Sequence, residues 1–226
     1  MRILGLDTAT WTASVGLLDG GRVVAERSAA TDGSHGVSLL PLIDDVLRAG
    51  SCEISDLDGI AVSNGPGSFT GLRVGLSVAK GLARAAGLRL IGVPTLEALA
   101  RTVADRHGTI CALLDARKGE LYGACFASSP GKWTRLTADA IDTADSLVDR
   151  LPRPCTILGD AVVRYSAFLR ERLGDDVVLL PFATYAPRGA TVAMMGWERW
   201  QEGTTDDLPT LEPAYIRPCE AELKLT

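Results

Sequence analysis

Little in this chain can do chemistry by itself. Of its 226 residues only two are histidine, His35 and His107. Isolated in sequence, they form no metal-ligating constellation. The five cysteines, Cys52, Cys111, Cys125, Cys155 and Cys219, are odd in number and scattered, with no CxxC. That excludes a disulfide framework and points to reduced thiols in a cytosol. No GxSxG elbow is present, so Ser68 and Thr70 lack the setting of an activated nucleophile. A phosphate-binding GxxxxGK[ST] is missing too, because Gly71 is followed by Leu72 and Arg73. GxGxxG fails in the same place: Gly65-Pro66-Gly67 runs on to Ser68-Phe69-Thr70. No apolar run reaches the length of a membrane span. Arg2 is followed by only a short apolar run before Asp7, which does not read as a secretory signal. Low-complexity segments and charge blocks are absent.

What remains is the composition of a folded protein of one large or two small domains, 46% hydrophobic and 23% charged. A chain this long buries a sizeable core without staples. The net charge of -5 makes it a poor stand-alone RNA binder, since backbone affinity comes from Lys and Arg neutralising phosphates. Contact with RNA would need a local basic patch or a basic partner.

The richest stretch runs from Ile60 to Ala86, IAVSNGPGSFTGLRVGLSVAKGLARAA. Ile60, Ala61 and Val62 read as a covered parallel strand. Asn64, Gly65, Pro66 and Gly67 stop it, because Gly permits positive φ and Pro removes a donor. Ser68 and Thr70 are candidate caps for the next helix. On that helix Arg73, Ser77, Lys80 and Arg84 form one narrow polar stripe, with Gly71 and Gly75 opposite. Leu72, Leu76, Ala79 and Ala83 fill one flank; Val74, Val78, Gly81 and Ala85 fill the other. A surface helix of a monomer carries a wider polar face. Each interior Gly costs about 1 kcal/mol against Ala, so two of them imply close approach of another backbone. Two readings follow: a helix buried in its own domain, or one packed on its own sheet and, on the other side, on a second protein. The helix N-terminus also offers N–H groups to an anion.

The rest of the chain reads as two similar halves. Arg2–Leu6, Trp11–Leu18 and Arg22–Ala29 are strands, with a hairpin at Asp19-Gly20-Gly21. A helix follows at Val37–Arg48, where Pro41 fits only in the first turn. Another helix lies near Thr95–Asp105. In the second half, Thr109–Leu114, Glu120–Ala127 and Lys132–Leu136 form a meander. Helices at Thr143–Leu151, Ala161–Leu173 and Gly189–Gln201 alternate with strands Thr156–Leu158 and Val177–Leu179. The repeated order βββαβα, with an Asp after the first strand of each half (Asp7 and Asp115), predicts two related α/β lobes, 1–106 and 107–226. The second is expected to carry the final helix and tail.

Several blocks resemble one family. SNGPGSFTGLRVGLSVAKGLA is similar to the signature segment of the TsaB family, also called YeaZ. Ile3-Leu4-Gly5-Leu6-Asp7-Thr8-Ala9 resembles its opening strand. Gly92–Leu99 and Asp115–Tyr122 resemble its middle blocks, and Pro213–Arg217 its tail. The resemblance implies a two-lobed actin-like ATPase (ASKHA) fold with duplicated lobes. It implies a cytoplasmic, non-catalytic partner that binds TsaD directly and activates it to form threonylcarbamoyladenosine on tRNA, next to the anticodon. A TsaE-type ATPase would join the assembly. ATP and a metal belong to those partners, with no cofactor in this chain. The tRNA would be met through the complex, with a homodimer open to the isolated chain.

Interface residues are then expected at Val37, Leu40 and Leu47 on the first helix and at Val74, Gly75 and Val78 on the second. They would form a four-helix contact with a similar lobe. The alternative is an ATPase or ATP-dependent transferase using Asp7 with Asn64–Thr70, since Asp at this place in actin-like enzymes organises metal-bound phosphates. Against it, Asp7 is expected to hydrogen-bond N–H groups of the following turn. TsaD carries an HxxxH metal pair; here Leu39 stands where the second His would be, so no metal site and no catalytic residue are expected. Asp115–Glu120 reads as a charged hairpin rather than an acid/base pair. Trp197 and Trp200 read as packing rather than a base-stacking platform. Tyr215 and Arg217 are open to RNA or partner contact.

Overall fold

The structure is a computed structural model that describes residues 1–31 and 35–216, and of residues 35–38 the backbone alone. The described chain divides into two units, the first made of Met1–Ala98 with Pro187–Pro213 and the second containing Leu99–Ala186.

The first unit is built on a five-stranded sheet ordered β3-β2-β1-β4-β5. Its strands are β1 (Arg2–Asp7), β2 (Thr12–Asp19), β3 (Arg22–Ala30), β4 (Gly59–Gly65) and β5 (Arg89–Pro94). β1, β2 and β3 form an antiparallel meander, whereas β4 and β5 run parallel to β1. Helices α1 (His35–Ala49) and α2 (Phe69–Ala86) cover one face. There Leu4, Leu6, Val15, Leu17, Ile60 and Val62 meet Leu39, Ile43, Val46, Leu76 and Ala83. The opposite face places Ile3, Leu18, Ala61, Ile91 and Val93 against Val192, Ala193 and Met195. With both faces covered, β1 and β4 are near-continuous apolar runs rather than alternating ones.

Those last three residues belong to the final helix, α6 (Gly189–Gln201), which follows α3 (Thr95–Arg101), α4 (Ala144–Asp149) and α5 (Ala161–Leu173) along the chain. Its position corrects the expected division at residue 106: the last helix packs on the first sheet, and the chain leaves the first unit at Ala98. The reason lies in three glycines. A Cβ on Gly5 would stand 2.1 Å from the Gly189 carbonyl oxygen, and one on Gly16 would stand 2.2 Å from the Ala190 nitrogen. The helix backbone therefore lies directly on β1 and β2. Its first N–H groups are capped by side chains from the sheet: Gly189 donates to Ser14 Oγ and Ala190 to Glu26 Oε1, both at 2.9 Å. Trp197 and Trp200 lie beside Gly21 and Gly59, as packing groups do.

The second unit repeats the pattern. Its sheet is ordered β11-β10-β6-β7-β8, with β9 also paired to β7. The strands are β6 (Gly108–Arg117), β7 (Glu120–Ser129), β8 (Lys132–Arg135), β9 (Ala140–Thr143), β10 (Cys155–Leu158) and β11 (Val177–Leu179). α4 and α5 seal one face over Leu113, Leu121 and Ile157. Two strands escape the sequence reading. β5, RLIGVP, contains Gly92 and ends on Pro94, which read as loop signals. β9 has three half-buried residues, one exposed residue and no apolar pattern. Helix α1 begins at His35, so Pro41 falls in its second turn rather than its first.

Candidate functional site

Two places in the first unit hold the residues that the sequence singled out: the glycine loop beside Asp7, and helices α1 and α2. Asp7 ends β1 with no solvent exposure. Its Oδ1 accepts the Ala9 N–H at 3.2 Å, and its Oδ2 accepts a short bond from the Ser63 hydroxyl. The carboxylate thus ties the turn after β1 to β4, which is the hydrogen-bonding role expected of it. Asn64 lies within β4, not beyond it, and its amide leans over Gly92. Thr70 is exposed on the first turn of α2.

The loop from Gly65 to Ser68 is clasped by its own chain. The Gly65 N–H donates to Thr95 Oγ1 at 3.1 Å, and the Ser68 N–H donates to the Ala9 carbonyl at 2.7 Å. Thr95 therefore holds this loop. A Cβ on Gly67 would be 2.5 Å from the Ala9 oxygen, so the loop backbone lies directly on the turn after β1. Ser68 caps α2 by accepting the Gly71 N–H at 3.2 Å. These contacts make the loop a fastening between β1, β4 and α2.

Gly71 and Gly75 also answer to the chain itself. Thr8 Oγ1 donates to the Gly71 carbonyl at 2.7 Å, and a Cβ on Gly75 would meet that same oxygen at 2.3 Å. Gly75, expected at a partner interface, is buried against Thr8 instead. Leu47 is likewise core, only 7% exposed, because it turns toward the sheet with Val46 and Ile43. Val74 and Val78 are half-buried, packed at the margin of the same core. Leu40 stands out at 54% exposed. The side chain of Val37 lies outside the described residues.

The outward side that remains is Leu40, Pro41, Asp44, Asp45 and Arg48 on α1, with Phe69, Arg73, Ser77, Gly81, Arg84 and Ala85 on α2. Arg73 lies over the Phe69 ring at 4.0 Å, and Lys80 donates to the Pro209 carbonyl at 3.3 Å. α1 carries acids paired with Arg48, whereas α2 has no acid along its whole length. Nothing local requires Gly81, since a Cβ there would meet nothing within 4 Å.

In the second unit Asp115–Glu120 is the hairpin between β6 and β7, with Arg117, Lys118 and Gly119 at positive φ. Asp115 accepts from its own turn at Arg117 and pairs with Arg164 at 3.3 Å. Sequence reasoning missed Asp160, just before α5, whose Oδ1 accepts the Asp115 N–H at 2.8 Å. Burial pushes its carboxyl up from 3.8 to about 6, with the neighbouring Asp115 charge adding to the rise. A folded-state pKa above the unfolded one means stability is full below about pH 4 and is lost as pH rises through about 6. Asp160→Asn keeps the acceptor and removes the charge. It should gain up to about 3 kcal/mol at pH 7 and nothing near pH 4. Urea unfolding from pH 4 to 8 checks this; parallel profiles for the two proteins would refute it.

His107 is exposed, and Tyr215 is exposed beyond the last helix, while the His35 side chain and Arg217 lie outside the described residues. Among the described residues no three His, Cys, Asp or Glu side chains converge as metal ligands. No helix among them is long and apolar enough to cross a membrane.

Two meander-and-crossover units of this kind define the actin-like class of α/β proteins. The ROK hexokinase of Thermus thermophilus shares the fold, with a TM-score of 0.51 at 12% identity over 90% of this chain and 100% of that one. Far closer is YeaZ from Pseudomonas aeruginosa, with a TM-score of 0.80 at 27% identity, covering 95% of this chain and 99% of that one. A family profile described as TsaD: tRNA N6-adenosine threonylcarbamoyltransferase matches residues 24–194. The tRNA threonylcarbamoyladenosine biosynthesis protein TsaB of Escherichia coli is 32% identical over 100% of this chain and 98% of its own length. Its namesake from Bacillus subtilis is 30% identical over 99% and 97%. The chain belongs to the TsaB family, within this wider TsaD-type group.

Proposed function

We propose that this protein is the non-catalytic subunit that binds a TsaD-type partner and activates it for threonylcarbamoyladenosine formation on tRNA, next to the anticodon. The observation that carries this reading is similarity to TsaB proteins along essentially the whole chain. The outer sides of α1 and α2 are the docking surface, with Leu40 at its centre and Val74 and Val78 at its margin. A TsaE-type ATPase completes the assembly, and ATP and metal reside in the partners. tRNA is engaged through the complex, in keeping with the acidic balance of this chain. The working compartment is the cytoplasm, and a homodimer through the same helices is the resting alternative. Two N–H groups of the loop that an ATPase would use are already taken by Thr95 and Ala9, which favours the subunit role over the enzyme role.

The experiment is reconstitution of tRNA modification from purified components, with and without this chain. Modification should depend on it, and the isolated chain should turn over nothing. Asp7→Asn supplies a second check. It removes a buried acceptor from Ser63, so it should cost about 1–3 kcal/mol of stability. Complex-dependent modification should survive at temperatures where the variant stays folded. Complete loss in a folded variant would point to a working nucleotide site at Asp7 and overturn the non-catalytic reading.

A further inference from the structure

Two cysteines 14 residues apart in sequence face each other in the second sheet. Cys111 on β6 and Cys125 on β7 are directly opposed in the antiparallel register. The Cys125 N–H donates to Thr137 Oγ1 at 2.8 Å, and its carbonyl accepts from the N–H groups of Leu136 and Thr137 at 2.8 and 3.2 Å. Both polar groups of a strand residue point to one side, here away from β6, so Cys111 and Cys125 form a non-hydrogen-bonded pair. Such pairs hold their Cα atoms about 4.5 Å apart, the narrower of the two antiparallel spacings. A disulfide spans Cα separations of about 4.4–6.8 Å, so the backbone need not move to join these two. The side chains agree with the backbone: the two free thiols touch, Sγ to Sγ at 2.6 Å.

Cys155 lies outside this pair. It is the first residue of β10, which runs parallel to β6 with Ile157 opposite Cys111. Cys155 is therefore two residues further along the neighbouring strand. At about 3.3 Å per residue and about 4.8 Å between strands, its Cα is about 8 Å from that of Cys111. That exceeds the roughly 7 Å beyond which a disulfide needs backbone movement. Cys52 belongs to the core of the first unit.

The pair is buried beneath α4 and α5, Cys111 at 0% and Cys125 at 3% exposure. Its cover is thin on one side. β8 ends at Arg135 and β9 starts at Ala140, so beside Cys125 the sheet gives way to a loop whose residues Leu136, Thr137 and Ala138 are exposed. That loop is held to Cys125 by the three hydrogen bonds just named. Exposed segments with few buried contacts open locally at far less cost than unfolding the sheet. Such an opening admits a small oxidant, and it reaches Cys125 before Cys111.

We propose that Cys111 and Cys125 are a redox modification site, oxidised by a small hydroperoxide to a cross-strand disulfide. Cys125, as its thiolate, attacks the peroxide. An S–O bond forms and the O–O bond breaks; the departing oxygen takes up the thiol's proton and leaves as water or an alcohol. Cys125 is then a sulfenic acid in contact with the Cys111 thiol. The Cys111 sulfur displaces the sulfenic hydroxyl, which leaves with the Cys111 proton as water, and the S–S bond closes. Two thiols have given two electrons to one peroxide. The product ties β6 to β7 behind the hairpin at Asp115–Glu120, and a thiol reductant reverses it by exchange.

The test uses the full-length reduced protein in native buffer and dilute hydrogen peroxide. The remaining thiols are alkylated in urea, and peptides are mapped without reduction. The wild type should give a linked Cys111–Cys125 peptide, with Cys52 and Cys155 alkylated, and dithiothreitol should abolish the link. Cys111→Ala deprives the sulfenic acid of its resolving thiol, so Cys125 should be captured by dimedone or carried on to sulfinic acid. Cys125→Ala should leave Cys111 reduced, with no link to Cys155. Absence of the Cys111–Cys125 link in the wild type, a link formed only when the oxidant is added in urea, or a link from either residue to Cys155 overturns the proposal. So does a folded Cys111→Ala protein whose Cys125 resists oxidation. The wild-type map decides even where a variant fails to fold.

Discussion

Leu40→Glu should leave the chain folded and abolish its co-elution with a TsaD-type partner. Leu40 projects from α1 at 54% exposure, so a carboxylate there is solvated in the free subunit and costs its fold little. In a complex closed over α1 and α2 the same carboxylate would be stripped of water at a place where the wild type offers an apolar side chain. Burying the leucine side chain at that interface is worth about 1.5–3 kcal/mol, and the stranded charge adds to the penalty. A total of about 3 kcal/mol or more is roughly a hundredfold or more in Kd. Circular dichroism reports the fold, size-exclusion co-elution the complex, and the reconstituted reaction the loss of modified tRNA. Val78→Glu should act in the same direction but with some loss of stability, because Val78 is half-buried against the core. Leu47→Glu should unfold the first unit outright, since Leu47 is enclosed. Unchanged co-elution of a folded Leu40→Glu protein would put the docking surface elsewhere.

The contrast between Leu40 and Leu47 shows where sequence stops being informative. Both lie on one amphipathic helix, seven residues apart, and a helical wheel assigns them to nearly the same stripe. The masses packed around α1 separate them: α2 and the sheet reach Leu47 and leave Leu40 outside. The glycines of α2 teach a related lesson. Gly71 and Gly75 do mark a close approach, as helix propensity requires, but the approaching group is Thr8 after β1 of the same chain. Spacing reports that something comes near without saying what. The meander strands and helices were legible because hairpin turns and helical periodicity are local signals. The cysteine pair was not, because it is made by strand register between residues 111 and 125. Asp160 was silent for the same reason: only the sheet brings it under the Asp115 N–H. The docking of α6 depends on contacts between residues far apart in sequence, and no local pattern assigns that helix to one half or the other.

That docking carries the largest stability effect expected for a single added methyl group. Gly16→Ala should cost more than about 3 kcal/mol, beyond the usual range for overpacking. The added Cβ would sit 2.2 Å from the Ala190 nitrogen and 2.5 Å from its Cα, and neither is the flexible end of a side chain. To admit it, α6 must lift from β2. Lifting breaks the bonds from Gly189 to Ser14 and from Ala190 to Glu26, and it opens the packing of Val192 and Ala193 on Ile3 and Ala61. The helix N-terminus is then deprived of the caps that the sheet supplies, and buried N–H groups without acceptors are themselves costly. Gly81→Ala is the matched control. It makes the same chemical change on a helix, at a place where the new Cβ meets nothing within 4 Å. There the gain in helix propensity should stabilise the free chain by up to about 1 kcal/mol. Urea unfolding of the two variants side by side should therefore give shifts of opposite sign. A Gly16→Ala protein as stable as the wild type would mean that α6 does not rest on β1 and β2. The assignment of the last helix to the first unit would then fall with it.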